Sequence, residues 1–387
     1  MKKRNQKFAE KLGRLGTLSL LAFSFSAALK SLASDFPRSA WNDIRLLGRG
    51  DAGLATIVGG PAAFYNPAGL AWSDIYSFTL LNPTVGTNKN VIGSFQNITG
   101  IGSSSSETLS EKFAPFLGRP LDLQGGIFPH ISLPHFMIGF YNIVDADIVY
   151  RDPVFPRLEV DYRNDWGIIG GAGWSYKDYF AVGASIRWIN RTQIAEDIDT
   201  ATLLTVTSDY LTQIERKGDA YGLNLGFQGR YPVGKASKLS LGFTIEDVGY
   251  TTFRSANRGV SLPERQPMRM NAGIAYALDL PASSASIYFD TKDLNDFEMS
   301  WSKKIYTGVE VGTKIADFRA GLYQGYWTLG ASIAILPFLL VDLLAYGREL
   351  DSAAGLREDR YYVVGLRMGL DLKKSAKRKQ RFTLDHL

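Results

Sequence analysis

The stretch "AYGLNLGFQGRY", Ala220–Tyr231, decides the fold class. Tyr221, Leu223, Leu225, Phe227 and Tyr231 fall on one face of an extended chain, while Gly222, Asn224, Gly226, Gln228 and Arg230 fall on the other. The same alternation appears on both sides of it. In "YFAVGASIRWINR" (179–191), Phe180, Val182, Ala184, Ile186 and Trp188 oppose Ala181, Gly183, Ser185, Arg187 and Arg191. In "LSLGFTIE" (239–246), Leu239, Leu241, Phe243 and Ile245 oppose Ser240, Gly242, Thr244 and Glu246. Further copies are "RMNAGIAYALD" (269–279), "IYTGVEVGTK" (305–314), "WTLGASIAI" (327–335) and "YYVVGLRMGLDL" (361–372).

A soluble sandwich also alternates, so two details separate it from a membrane barrel. The segments run roughly 9 to 13 residues, near the ~9–11 of a tilted transmembrane strand and above the ~5–6 usual in soluble sheets. The polar face carries Gly and Ser with occasional Arg, Glu and Lys, as a lumen wall would, while the apolar face ends in Tyr and Trp in the manner of an aromatic girdle. The expectation is an all-β chain forming a transmembrane antiparallel β-barrel. Candidate strands are 75–86, 91–98, 123–132, 135–150, 158–176, 179–193, 219–232, 237–250, 267–280, 284–292, 303–314, 317–325, 327–336, 338–348 and 359–372. Barrel closure favours an even number, so 14 strands are expected and one region is misread or part of a bent strand.

The ends of the chain set the compartment. Residues 1–33 read as a signal peptide: a basic start, an apolar run from Leu15 to Leu29, and Ser31-Leu32-Ala33 before cleavage. That segment holds seven Lys and Arg against one Glu, so the net +5 of the whole chain falls to about −1 without it. No nucleic-acid partner is expected, since the remaining basic cluster is the 373–387 tail. The absence of cysteine excludes disulfides and thiolate metal sites. The domain expectation is a signal peptide at 1–33, a small N-terminal plug at 34–73, a barrel at 74–372 and the basic tail.

Catalytic and metal chemistry find no setting. His130 and His135 lie five apart and face opposite sides of a strand, and no serine has a base beside it. No cofactor is expected and the chain is not read as an enzyme. The lumen-facing charged residues Arg187, Arg230, Glu246, Glu310, Arg319 and Arg367 are expected to form ion pairs across the interior. Two segments break the strand period. "DTATLLTVTSDYLTQI" places Leu203, Val206, Tyr210, Leu211 and Ile214 at helical spacing in a loop expected outside the cell. "SSSSETLSEKFAPFLGR" carries Leu109, Phe113, Phe116 and Leu117 and reads as a second short helix.

"GRGDAGLATIVGGPAAFYNPAGLA", Gly48 to Ala71, contains a literal G-x-G-x-x-G, but no buried strand enters it and Pro61 interrupts any following helix. The adhesion-like tripeptide Arg49-Gly50-Asp51 is a chance sum of common residues. With a barrel downstream, the stretch resembles the N-terminal plug of the FadL/TodX family of outer-membrane transporters for hydrophobic compounds, and of PorV-like relatives. The Asn66-Pro67-Ala68 tripeptide just before the first strand carries the resemblance. It implies a Gram-negative outer-membrane barrel, embedded in lipid, that admits long-chain fatty acids or hydrocarbons by passive diffusion past the plug. It also implies lateral release through a wall gap at a strand kink, for which Pro129, Pro134, Pro153 and Pro156 are candidates. Phe64 and Tyr65 are then expected to touch the ligand. A PorV-like role stays open, in which the barrel conducts nothing and holds another envelope or secreted protein. The chain departs from the family in having a single candidate extracellular helix and in continuing past the last strand.

Overall fold

The computed structural model describes residues 41–93, 114–151, 157–199, 202, 214–255, 261–350 and 353–373. Among them, fourteen strands form one closed antiparallel sheet. Strand β1 has two segments, Ile75–Leu81 and Thr84–Asn88, and β2 has two, Pro120–Ile127 and His130–Leu133. The others are β3 (Phe136–Arg151), β4 (Arg157–Tyr176), β5 (Phe180–Ile198), β6 (Arg216–Pro232), β7 (Ser237–Glu246), β8 (Arg269–Asp279) and β9 (Ser284–Thr291). The set ends with β10 (Ile305–Gly312), β11 (Ala316–Tyr323), β12 (Tyr326–Leu336), β13 (Leu339–Glu349) and β14 (Glu358–Lys373). Each strand pairs with the next, and β14 closes on β1 through Ile75↔Lys373 to Leu81↔Met368 and on the second β1 segment through Thr84↔Gly365 to Asn88↔Tyr361. No helix among the described residues is long and apolar enough to cross a membrane.

The alternation becomes a division between outside and inside. Tyr221, Leu223 and Leu225 are exposed on the outer wall, while Asn224 and Gln228 are buried within. One end of the barrel has tight turns, such as Pro134-His135 and Lys177–Tyr179; the other carries the long connections. The wall is uneven: β4 has 20 residues and β10 only 8, or roughly 65 Å against 26 Å of strand length.

Residues 91–98 are the misread region. The chain instead forms the short helix α3 (Lys89–Gly93), because Asn88 Oδ1 accepts the Val91 N–H at 3.2 Å and turns the chain out of the sheet at the end of β1. Residues 94–98 lie outside the described set. The expected 237–250 strand stops at Glu246, where Asp247 takes φ 51°. Of the two helical stripes, Phe116, Leu117 and Ile214 are described: Phe116 is buried against Leu121, Tyr150, Leu158 and Ile198, Leu117 is exposed and Ile214 half-buried. Leu109, Phe113, Leu203, Val206, Tyr210 and Leu211, the signal peptide and residues 374–387 fall outside the described set.

Residues 41–74 run along the inner face of the sheet. They comprise helix α1 (Ile44–Gly48), helix α2 (Ala62–Tyr65) and a 3-10 turn at Pro67–Trp72, and almost every residue between Ala52 and Ala71 is buried. Trp41, Leu46, Leu54, Ile57, Phe64 and Leu70 pack with wall residues Phe128, Met137, Tyr141, Ile143 and Ile169 as the largest apolar core. Helices this short are not stable by themselves, so wall contacts define them. At Gly308 the approach is so close that a Cβ would stand 2.0 Å from Arg49 O. Gly308→Ala therefore forces backbone apart, and its expected cost is about 1–3 kcal/mol or more in equilibrium unfolding of the detergent-solubilised barrel.

Candidate functional site

The inner segment begins with Asp43, whose Oδ1 accepts the Arg45 and Leu46 N–H groups and caps α1. Burial works to raise the Asp43 pKa, but the guanidinium charges of Arg45 and Arg367 and these two donors outweigh it, and the carboxyl sits below its ordinary range. Beyond α1 the segment is fixed by charged wall residues. Arg49 Nη1 meets Glu310 at 3.0 Å, Lys292 Nζ meets Asp51 at 2.5 Å, and Asp290 Oδ2 accepts the N–H groups of Gly53 and Leu54 at 2.7 and 2.9 Å. Further along, Asn66 Nδ2 donates to Leu54 O and Phe227 O, and its Oδ1 accepts Ala68 N–H. Pro67 then starts the 3-10 turn, its fixed φ suiting the first helical position and its missing N–H costing nothing there.

All six charged residues singled out in the sequence face inward. Arg187 pairs with Asp247 at 2.6 Å, Glu246 with Arg269 at 2.6 Å, and Arg367 with Asp342 at 2.8 Å. Glu310 and Arg319 pair with each other at 2.8 Å, and Arg230 lies 4.4 Å from the Trp72 ring centroid. Tyr306, Tyr323, Tyr346 and Tyr361 line the inner wall with successive centroids 5.5, 5.8 and 5.0 Å apart. The alternation pointed to aromatic residues on the outer girdle and missed this internal row, in which the hydroxyls of Tyr346 and Tyr361 bond Gln124 and Asp122.

Phe64 and Tyr65 are both buried in the core. Phe64 lies 5.0 Å from Phe128 and 5.3 Å from Tyr141, and Tyr65 Oη accepts the Asp43 N–H.

The wall itself is broken between β1 and β2. They pair through Ser77↔Ser132, Phe78↔Ile131 and Thr79↔His130 below the break, and through Thr84↔Gly126 to Thr87↔Leu123 above it. Between these rows, Pro83 and Pro129 have no N–H to offer a ladder. The inward parity of β1 also changes: Ser77 and Thr79 are buried below, Asn88 above. An odd step in the chain does this, as at a bulge. In place of ladder pairing, Phe128 N–H donates to Asn82 Oδ1 at 2.6 Å. The Phe128 ring is fully buried between Trp41, Phe64 and the stacked His130 ring.

Beside this break lies a crevice between wall and inner segment, lined by Asp43, Arg45, His130, Ser132, Asp342 and Arg367 among others. Its volume of about 40 Å³ holds only a few water molecules at roughly 10–15 Å³ each, short of an acyl chain or aromatic ring. Pro129 therefore stands at the break, Pro134 in the β2–β3 turn, and Pro153 and Pro156 outside the described residues. Asn82 was not singled out in the sequence. The dipeptides Asn82-Pro83 and Phe128-Pro129 are the signal that points to it, since neither proline can serve a continuous central strand. Among the described residues no group of His, Cys, Asp or Glu could hold a metal ion.

The sequence matches no family model, and no curated protein matches it. Solved structures do. A deltaS2 mutant of the monoaromatic hydrocarbon channel TodX aligns over 88% of this chain and 100% of its own at a TM-score of 0.51 and 11% identity. The chain has the FadL/TodX barrel fold. The Ralstonia pickettii toluene transporter TbuX aligns over 84% of this chain and 97% of its own at 14% identity and a TM-score of 0.48. A Pseudomonas aeruginosa FadL homologue aligns over 85% and 97% at 12% identity and a TM-score of 0.43. At such identities the likeness is one of fold. Within that fold, Asn66-Pro67-Ala68 sits on the inner face against β5 and β6, with Gly183 beside Pro67 and Gly226 beside Asn66.

Proposed function

We propose that this protein is a Gram-negative outer-membrane barrel that admits small hydrophobic molecules, such as long-chain fatty acids or hydrocarbons, by passive diffusion. Residues 41–74 act as its plug, the long connections face the outside, and release is lateral into lipid. The observation that carries this reading is the wall break at Asn82-Pro83 and Phe128-Pro129 opening beside a crevice at the edge of the inner segment. A closed, plugged barrel with a weak seam suits solutes that belong in the bilayer, because a hydrophilic solute gains nothing from leaving sideways.

A second reading has an observation of its own. Phe297, Trp301 and Leu356 are 91%, 63% and 64% exposed on connections at the long-loop end, where Ala354 N–H donates to Ser302 Oγ and ties two loops together. A protein partner docking on that rim, in the manner of a PorV-like barrel, accounts for such exposure. Uptake into liposomes separates the two. Labelled palmitate entering faster than a labelled sugar supports the transporter; no flux of either solute moves the assignment to the partner-binding barrel.

A further inference from the structure

Above the aromatic girdle, the outer face of the barrel is finished in two different ways. On β3–β5 the strands run far past the girdle. Trp188 pairs directly with Tyr221, and Ile198 lies ten residues further along β5, roughly 25 Å higher at the ~40° tilt of such strands. The outward residues at that height are apolar: Tyr150 pairs with Leu158, Leu158 with Ile198, and Leu121 with Ile148. The chain covers them itself. Phe116, from the 3-10 turn Ala114–Phe116 in the β1–β2 connection, packs over Leu121, Tyr150, Leu158 and Ile198, and all five are buried. Apolar side chains held so far out in water need such a cover.

On β9–β12 the strands end near the girdle, and the large apolar residues just beyond it are bare. Exposed Trp327 marks the girdle on this side. It pairs with Leu322, which pairs with Thr307, and Ile305 is two residues nearer the rim than Thr307. Two strand spacings of ~4.8 Å and two residues of ~3.3 Å largely cancel in height at this tilt, so Ile305 stands within roughly 5 Å of the level of Trp327. Helix α4 (Trp301–Lys304) ends at Ile305, which puts Trp301 about 6 Å away from it along the helix. The headgroup layer between hydrocarbon core and water is roughly 5–8 Å deep, so Trp301 falls within reach of it. Phe297 precedes Trp301 in the same connection, and Leu356 lies on the connection tied to it through Ala354 and Ser302. All three are among the most exposed large apolar side chains of the protein.

We infer that Phe297, Trp301 and Leu356 form a lip that dips into the lipid headgroup layer, so that the membrane covers on the low side of the rim what Phe116 covers on the high side. The lip continues the lipid-facing girdle at Trp327 and Tyr362, and a Trp and a Phe beside it suit the boundary between headgroups and acyl chains. This rests on the membrane-barrel reading above and goes beyond its transport step. It assigns to lipid the exposure that a docked protein would otherwise account for.

The chain has no cysteine, so single cysteines can carry a thiol-reactive fluorophore without background. Phe297→Cys and Trp301→Cys place it on the lip, Leu329→Cys on the outer wall of β12, and Glu196→Cys on the exposed outer face near the top of β5. The full chain is reconstituted in vesicles of phosphatidylethanolamine and phosphatidylglycerol, with a phospholipid spin-labelled either in the headgroup or along the acyl chain as quencher. The headgroup label is expected to lower emission from both lip positions about twofold or more, and the acyl-chain label to do so at Leu329, while Glu196 keeps its emission with either. Quenching at Leu329 with none at Phe297 and Trp301 overturns the lip and leaves the bare rim to a protein partner. Equal quenching at Glu196 and the lip also overturns it, because the two sides of the rim would then meet lipid alike. An unquenched Leu329 shows instead that the membrane-barrel reading has failed, and the lip falls with it.

Discussion

Arg187→Met is expected to destabilise the barrel by about 3–5 kcal/mol, because it strands the carboxylate of Asp247 in the interior. Both side chains are 1% exposed, and the 2.6 Å bond between Arg187 Nη2 and Asp247 Oδ1 supplies the countercharge. What remains to Asp247 is the Thr251 hydroxyl, a neutral donor that cannot replace a guanidinium. The double variant Arg187→Met with Asp247→Asn should recover most of the loss. Asparagine keeps an acceptor for Thr251, carries no charge and tolerates the positive φ of 51° at this position. Denaturant unfolding of the three proteins in the same detergent checks this. A single variant as stable as the parent would mean that Asp247 does not depend on the charge of Arg187.

Asn66→Ala comes next, with an expected loss of about 2–3 kcal/mol from a fully buried side chain that serves three partners. It also removes the cap of the 3-10 turn at Pro67–Trp72. Asn66→Asp separates the two halves of the amide. The aspartate keeps the oxygen that accepts Ala68 N–H, but it sets a second oxygen against the carbonyls of Leu54 and Phe227, where the amide nitrogen donated. The expected order of midpoint denaturant concentration is parent, then alanine, then aspartate. Aspartate at least as stable as alanine would show that the donor bonds to Leu54 and Phe227 contribute little.

These two positions were read differently from the sequence. Arg187 was legible because a strand repeats every two residues, so its place opposite Trp188 and Ile186 put it indoors once the outer face was known. Its partner was not legible: Asp247 is just past the end of β7, at a bend that no alternation marks. Asn66 was noticed as part of a tripeptide, but its bonds reach from the turn it begins to a wall strand 161 residues away. The break in the wall was half visible. Pro129 stood out as a kink, while the regions 75–86 and 123–132 read as unbroken strands because apolar and polar residues still alternate locally within each half.

What the sequence determined by itself was the architecture: strand after strand with a two-residue period, an apolar outer face and a small, polar inner face, enough to specify a closed barrel and its strand number. Those are local properties, decided by which face of each strand is apolar and which is small and polar. Tertiary structure alone decided how the inside is used. Which glycine receives which turn of the inner segment, which arginine finds which carboxylate, and that two proline breaks far apart in the chain meet as one seam all depend on register and closure. Neither exists until β14 has paired with β1, and no stretch of the chain carries either one locally.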